Sequence, residues 1–314
     1  MEERKLIRLG NSSFAIALPK EWIGKSGLQK GDKVFIVPNS NGELIISSEF
    51  TKEVEKEISL DLKDKEETLL QTELIGSYLK NYNLLKIKND LEDKKRKHIK
   101  DLVRNLMSFE IVEESKEEIK LKDVFNLDEA NITRLIKRVD NIVRSFYEDL
   151  VPAIKRGKID KKISNEIQDA DKEITKLYLL VGRVFMKSLN NPSLLNSLKI
   201  NCSELFTNWW IVLHVEKIGD DLKYIAKILE KSIKPREELN VLFKLINENY
   251  NSSLNSYYQK DKSIVEGVIE KNKKIISDIE KINKDTPEIV QITERLKSLQ
   301  GNIFQISKMI SYLI

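Results

Sequence analysis

Residues 214–227 read HVEKIGDDLKYIAK. Val215, Ile218, Leu222 and Ile225, continued by Leu229, recur at alternating spacings of three and four, so they form one helical stripe that must face a core. At about 100° per residue, Glu216 and Asp220 stand nearly opposite that stripe, one turn apart, with Cβ atoms about 6 Å from each other. Such a pair faces solvent or a surface ligand, not a buried core. His214 points with Asp221, away from both. Gly219 lies near the edge of the stripe, where a missing side chain costs about 1 kcal/mol of helix propensity and lets a neighbour approach closely.

The preceding helix carries its own stripe, Ile163, Ile167, Ala170, Ile174, Leu177 and Val181, with Glu166, Asp169 and Glu173 along one flank. Two antiparallel neighbours, each with a one-turn carboxylate pair, present four or five oxygens to a hard cation or to iron. Lys172, Lys176, Lys223 and Lys227 are close enough to neutralise the same acids, which makes them an ordinary charged face. Both readings stand at this point. Inward-facing Glu-x-x-His motifs are absent, because Lys95 and Ile211 stand three residues before the two histidines, His98 and His214. No Walker loop, dinucleotide glycine fingerprint or nucleophile arrangement occurs, so the chain is not expected to be an enzyme.

The 314 residues are 33% charged and 7% aromatic, with 11 glycines and 6 prolines, a mainly α composition. The 54 basic and 50 acidic side chains leave a net charge of only +4, so any basic patch must be local. A lone cysteine, Cys202, excludes an intramolecular disulfide and multi-cysteine zinc sites; it reads as a small buried hydrophobe in a reducing compartment. MEERKLIRLG lacks the apolar core of a signal peptide, and WWIVL at 209–213 is too short to span a bilayer. A cytoplasmic, not membrane-spanning, protein is expected.

Four regions follow. Residues 1–49 alternate short apolar runs with turn signals: KLIRL, FAIAL, KVFIV and ELIIS read as strands, Asn41-Gly42 as a hairpin turn, and Pro19 to Gly27 as a short helix. So small a unit buries little core alone, which points to dimerisation through exchanged strands. Residues 50–122 read as an α+β connector: strands KEISLD and LLKIK, helices over roughly 65–81 and 90–107, then FEIVEE and EEIKLKDVF. Its LEDKKRKHIK, 91–100, is locally basic, either a phosphate-contacting patch or a solvated face. Residues 123–232 and 233–314 read as two three-helix bundles, six long helices broken near Gly157, Asn191-Pro192, Pro235, Lys260 and Thr286-Pro287. The bundles carry a weak internal repeat, 167–177 with 268–278 and 215–229 with 296–310.

The 4–48 stretch, with its LGNSS and ALPKEW segments, resembles the SpoVT/AbrB swapped-hairpin DNA-binding domain, most closely the MazE branch. That resemblance implies a swapped-hairpin barrel and a homodimer that lays Lys5, Arg8, Asn11 and Ser12 on DNA. Ala17 stands before Leu18-Pro19 where MazE-like sequences often have an arginine, which weakens tight base-specific contacts. The six helices resemble PhoU, the phosphate-signalling family of two three-helix bundles: EKIGD at 216–220 and Ile225-Ala226 match its E-x-I-G-D-x-x-x-x-I-A motif. PhoU-like proteins hold iron or other divalent metals at such motifs, which implies metal ligands at Glu216 and Asp220 with Asp169 and Glu173. In the second copy Lys274, Lys297 and Gly301 replace three of these acids and Glu270 alone keeps its charge, so one cluster at most is implied. The fusion resembles archaeal phosphate-uptake regulators. It implies a DNA-binding transcriptional regulator of phosphate homeostasis. The alternatives are a signalling adaptor for phosphate-transport or phosphate-signalling proteins and a MazE-like antitoxin.

Overall fold

The computed structural model describes residues 2–38, 42–48, 56–62, 65–88, 92–127, 130–189 and 191–313. Two compact units emerge, Met1–Val54 and Glu55–Ile314. The first contains strands β1 (Ile7–Leu9) and β2 (Ser13–Ala15), helix α1 (Lys20–Lys25), and strands β3 (Phe35–Pro38) and β4 (Leu44–Ser47). β1 pairs with β2, setting Arg8 opposite Phe14, and β3 pairs with β4. Gly27 takes a positive φ just past α1, and Gly42 takes one in the second hairpin, as the turn signals require; Asn41 lies outside the described residues. The hairpins form two separate two-stranded sheets, so one chain does not close the expected barrel. No described residue of this unit is buried, and Leu6, Phe14 and Leu44 are 70%, 66% and 65% exposed. Isolated hairpins of this kind are marginal in water.

The second unit opens with β5 (Glu57–Leu60), α2 (Glu67–Leu79), β6 (Leu84–Lys88), α3 (Asp93–Val103), β7 (Phe109–Glu114) and β8 (Glu118–Asp123). The sheet order is β5-β6-β8-β7, with β5 and β6 parallel and the remaining pairs antiparallel. A parallel pair needs a crossover, which α2 supplies. Strand alternation buries Leu85, Ile87, Ile119 and Leu121 in one core with Leu70, Leu74, Tyr78 and Ile99 of the two helices. Along α3 the basic residues are largely paired: Lys94 with Glu67 at 3.3 Å, Lys100 with Glu114 at 2.7 Å and Arg104 with Asp101 at 3.0 Å.

Seven helices follow: α4 (Ile132–Arg156), α5 (Lys161–Ser188), α6 (Pro192–Leu198), α7 (Cys202–Leu229), α8 (Glu237–Gln259), α9 (Ser263–Glu280) and α10 (Pro287–Leu313). Six are long, as their periodicity predicts. The short α6 is the addition: Lys199 turns left-handed after it, and Asn201 with Glu204 forms a capping box that restarts the chain as α7. α4, α5 and α7 pack together, α8, α9 and α10 do the same, and α7 against α10 joins the two sets. The repeat is visible as burial. Val215, Ile218, Leu222, Ile225 and Leu229 and their counterparts Leu296, Leu299, Ile303, Ile306 and Ile310 are all fully buried. Cys202 is exposed rather than buried, because it opens the first turn of α7, ahead of the first core residue, Leu205. Among the described residues no helix is long and apolar enough to cross a membrane.

One buried charge ties the sheet to the helices. Arg183 on α5 is inaccessible to solvent. Its guanidinium pairs with Asp123 at 2.6 Å, donates to the Ser108 hydroxyl at 2.6 Å and to the Asn81 side-chain oxygen at 3.3 Å, and lies over the rings of Tyr78 and Phe109. Asn81 and Ser108 both hold positive φ, a conformation uncommon for non-glycine residues. Beside it, Gly182 admits the Trp209 ring to 2.9 Å from where a Cβ would stand. Removing one partner of a buried ion pair costs about 3–5 kcal/mol. Arg183→Met should lower the urea midpoint accordingly and make the sheet segment the first site of proteolysis; an unchanged midpoint would show that the pair holds nothing.

Candidate functional site

In the N-terminal unit, Lys5, Arg8, Asn11 and Ser12 fall on one hairpin. Arg8 is the middle residue of β1, Asn11 and Ser12 belong to the turn that Gly10 opens at positive φ, and Lys5 precedes the strand. All four are exposed, and neither Lys5 nor Arg8 pairs with a carboxylate among the described residues. Cations without acid partners are free to neutralise phosphates, and the short polar side chains of the turn can hydrogen-bond a nucleic-acid backbone or a base edge.

The expected metal ligands are brought together only in part. Asp169 is exposed and pairs with Lys172 at 2.7 Å, while Glu173 pairs with Arg138 of α4 at 2.6 Å. Glu216 and Asp220 are neighbours, but not on an open face: α4, α5 and α10 surround α7, so both are half-buried. The ammonium of Lys223 sits between Asp220, at 2.5 Å, and Asp171 of α5, at 2.6 Å. Gly219 allows this approach of α5, with Ile174 2.9 Å from where its Cβ would stand. His214 and Asp221 do share a side, which faces α10: His214 meets Asn302 at 2.8 Å and Asp221 meets Arg295 at 3.1 Å.

Asp171 is the member of this cluster that reading the flank misses. It stands four residues after Ile167 and three before Ile174, on the core stripe itself, where an acid demands a partner. Burial raises its carboxyl, and the lysine only partly offsets this. Burial works against the charge of Lys223, but the bonds to Asp171 and Asp220 outweigh it and raise its pKa. Glu216 has no hydrogen bond or ion pair among the described residues. Burial first, then repulsion from Asp220 and Asp171, pushes its carboxyl up to about 7.

A divalent metal is a poor fit to this arrangement. Among the described residues no three His, Cys, Asp or Glu side chains are grouped to hold one, and the place between Asp171 and Asp220 belongs to the lysine ammonium. Lys223 offsets one of the two charges of Asp171 and Asp220, and Glu216 beside them is left to titrate near neutrality.

A family model described as antidote-toxin recognition MazE, bacterial antitoxin, matches residues 7–56. The N-terminal unit is therefore MazE/AbrB-like, and a helical region follows it. No curated protein matches the chain.

The folded Glu216 carboxyl binds its proton more tightly than the unfolded one, at about 7 against 4.5, so its neutral form is the one folding favours. Below pH 4.5 both states hold the proton. As pH rises toward 7 the unfolded chain releases it first, and stability should fall across that window. Glu216→Gln should flatten the fall and resist urea better than the native chain at pH 8; parallel pH profiles for the two would place the carboxyl in water.

Proposed function

We propose that the protein is a non-catalytic, DNA-binding regulator that works as a homodimer through its N-terminal unit, while its helical bundles report phosphate status. The carrying observation is the β1–β2 hairpin, where Lys5 and Arg8 stand exposed without acid partners beside the polar turn of Asn11 and Ser12. The match to the MazE family model supports the assignment. Dimerisation is supported by the lack of any buried residue among those described in this unit: a second copy would cover Leu6, Phe14 and Leu44 and supply the missing strands. The phosphate role rests on the PhoU-like EKIGD motif and on the repeat that burial traces in both bundles. The carboxylates of α5 and α7 enter as a cluster tied together by Lys223 rather than as a metal centre.

The matched family's description as an antitoxin favours one further reading, in which the N-terminal unit helps to neutralise a toxin protein. Antitoxins of this type usually engage their toxin with a short flexible tail, whereas here long packed helices follow. A third reading, an adaptor that contacts phosphate-transport or phosphate-signalling proteins, draws on the near-balance of seven basic and six acidic residues in positions 1–50. Isolation from cells distinguishes the three: bound operator DNA, a small toxin, or a transporter subunit.

Arg8→Ala should weaken binding in gel shifts and reduce the slope of log affinity against log salt by about 1 for each phosphate that the arginine neutralises. Unchanged affinity and slope would remove Arg8, and with it the hairpin, from the DNA interface.

A further inference from the structure

Where the first two turns of α4 meet the last turn of α8, a groove of about 550 Å3 opens between the two bundles. Its charged lining is basic. Arg134 and Lys137 face it from α4, and no carboxylate lines it among the described residues. The rest of the lining consists of hydrogen-bonding groups: the Thr133 hydroxyl, the Tyr258 phenol and the side-chain amides of Asn131, Asn255 and Gln259.

Among the described residues, the acid that two lining side chains, Lys137 and Tyr258, contact is Asp140, and it is fully buried. It accepts from Arg144 at 2.7 Å, from Tyr250 at 2.9 Å and from Tyr258 at 3.1 Å, so its charge is met without Lys137. Lys137 is its most distant partner, at 3.4 Å, and lies 4.3 Å from the centre of the Tyr258 ring. The Arg134 guanidinium has no ion pair among the described residues. Two positive charges therefore stand at the groove, one unpaired and one weakly paired, with donors from both bundles around them.

We propose that this groove binds an oxyanion of the phosphate class. A phosphate or phosphate monoester carries about −1.5 to −2 charges at neutral pH and accepts hydrogen bonds on three or more oxygens. Arg134 matches it as a bidentate fork and Lys137 as a mobile point charge, with Thr133 and the amides completing the shell. A carboxylate, with two oxygens and a single charge, would leave one of the two positive charges uncompensated. Bound there, the anion draws Lys137 away from Asp140 and bridges α4 of the first bundle to α8 of the second, so occupancy stiffens the joint between them. The groove's chemistry carries the site. Its link to regulation rests on the function proposed above, and because calorimetry needs no DNA, failure here and failure of the gel shift are separate results.

The test titrates the full chain with inorganic phosphate and, in a second arm, with a nucleoside monophosphate, followed by calorimetry and by the shift in melting temperature. Arg134 is exposed and has no ion pair among the described residues, so Arg134→Gln should melt like the native chain in phosphate-free buffer; Arg134→Gln/Lys137→Gln, which also loses the contact to Asp140, should melt somewhat lower, and its binding is read well below that temperature. At least one of the two ligands should bind the native protein, at least tenfold more weakly to the single variant, and undetectably to the double variant. Tighter binding of the monoester assigns the groove to a phosphorylated metabolite, and tighter binding of the inorganic ion assigns it to phosphate itself. Binding of neither ligand to the native chain, or equal binding to native and double variant, overturns the proposal.

Discussion

Arg183 is a charge the chain cannot bury without partners, and meeting that demand makes one body of the Glu55–Ile314 unit. Its partners come from separate pieces of the α+β segment: Asp123 from the end of β8, Ser108 from the turn before β7, and Asn81 from the turn after α2. Each fits only if the sheet has its observed order and α2 lies against α5. The aromatic surroundings, Tyr78 and Phe109, exclude water and strengthen the ion pair. An apolar joint would let the segment slide along the helices; this one fixes its register.

A second constraint runs through the bundles. α7 is enclosed by α4, α5 and α10, and most of the polar side chains it turns toward them find partners there. Toward α10, Asp221 meets Arg295 and His214 meets Asn302; toward α5, Lys223 joins Asp171 to Asp220. Asp140 does the same between α4 and α8, taking donors from Tyr250 and Tyr258. These buried polar joints set which helix faces meet, a specificity that uniform apolar stripes would not supply. The N-terminal unit meets no such constraint within one chain, since none of its described residues is buried.

The helices and strands were largely legible in the sequence, because burial imposes period 3.6 on the stripe of Val215 to Leu229 and period 2 on β6 and β8. The repeat was legible for the same reason. What a single-helix wheel cannot see is the neighbour on its other side: Glu216 and Asp220 lie opposite their own stripe, yet α5 half-covers them. Pairing of β6 with β8 rather than with β7 is a long-range fact with no local signal. Arg183 was legible only in half. A lone charge inside YLLVGRVF announces a buried partner, but nothing local names Asp123, sixty residues earlier. The hairpin residues of the N-terminal unit were found through their match to a known pattern, since Lys5 and Arg8 in isolation are ordinary surface cations.

The central claim is that the sheet segment and the helices form one cooperative body, so that a ligand or charge change in the bundles is felt in the segment that carries the chain to the N-terminal unit. Native-state hydrogen exchange of the full chain tests it most directly, because it reports the opening free energy of each element separately. Amides of β6 and β8 should exchange with the same opening free energy as those of α5 around Arg183. Sheet amides that open well before α5 does would contradict the account and leave the α+β segment an independent domain.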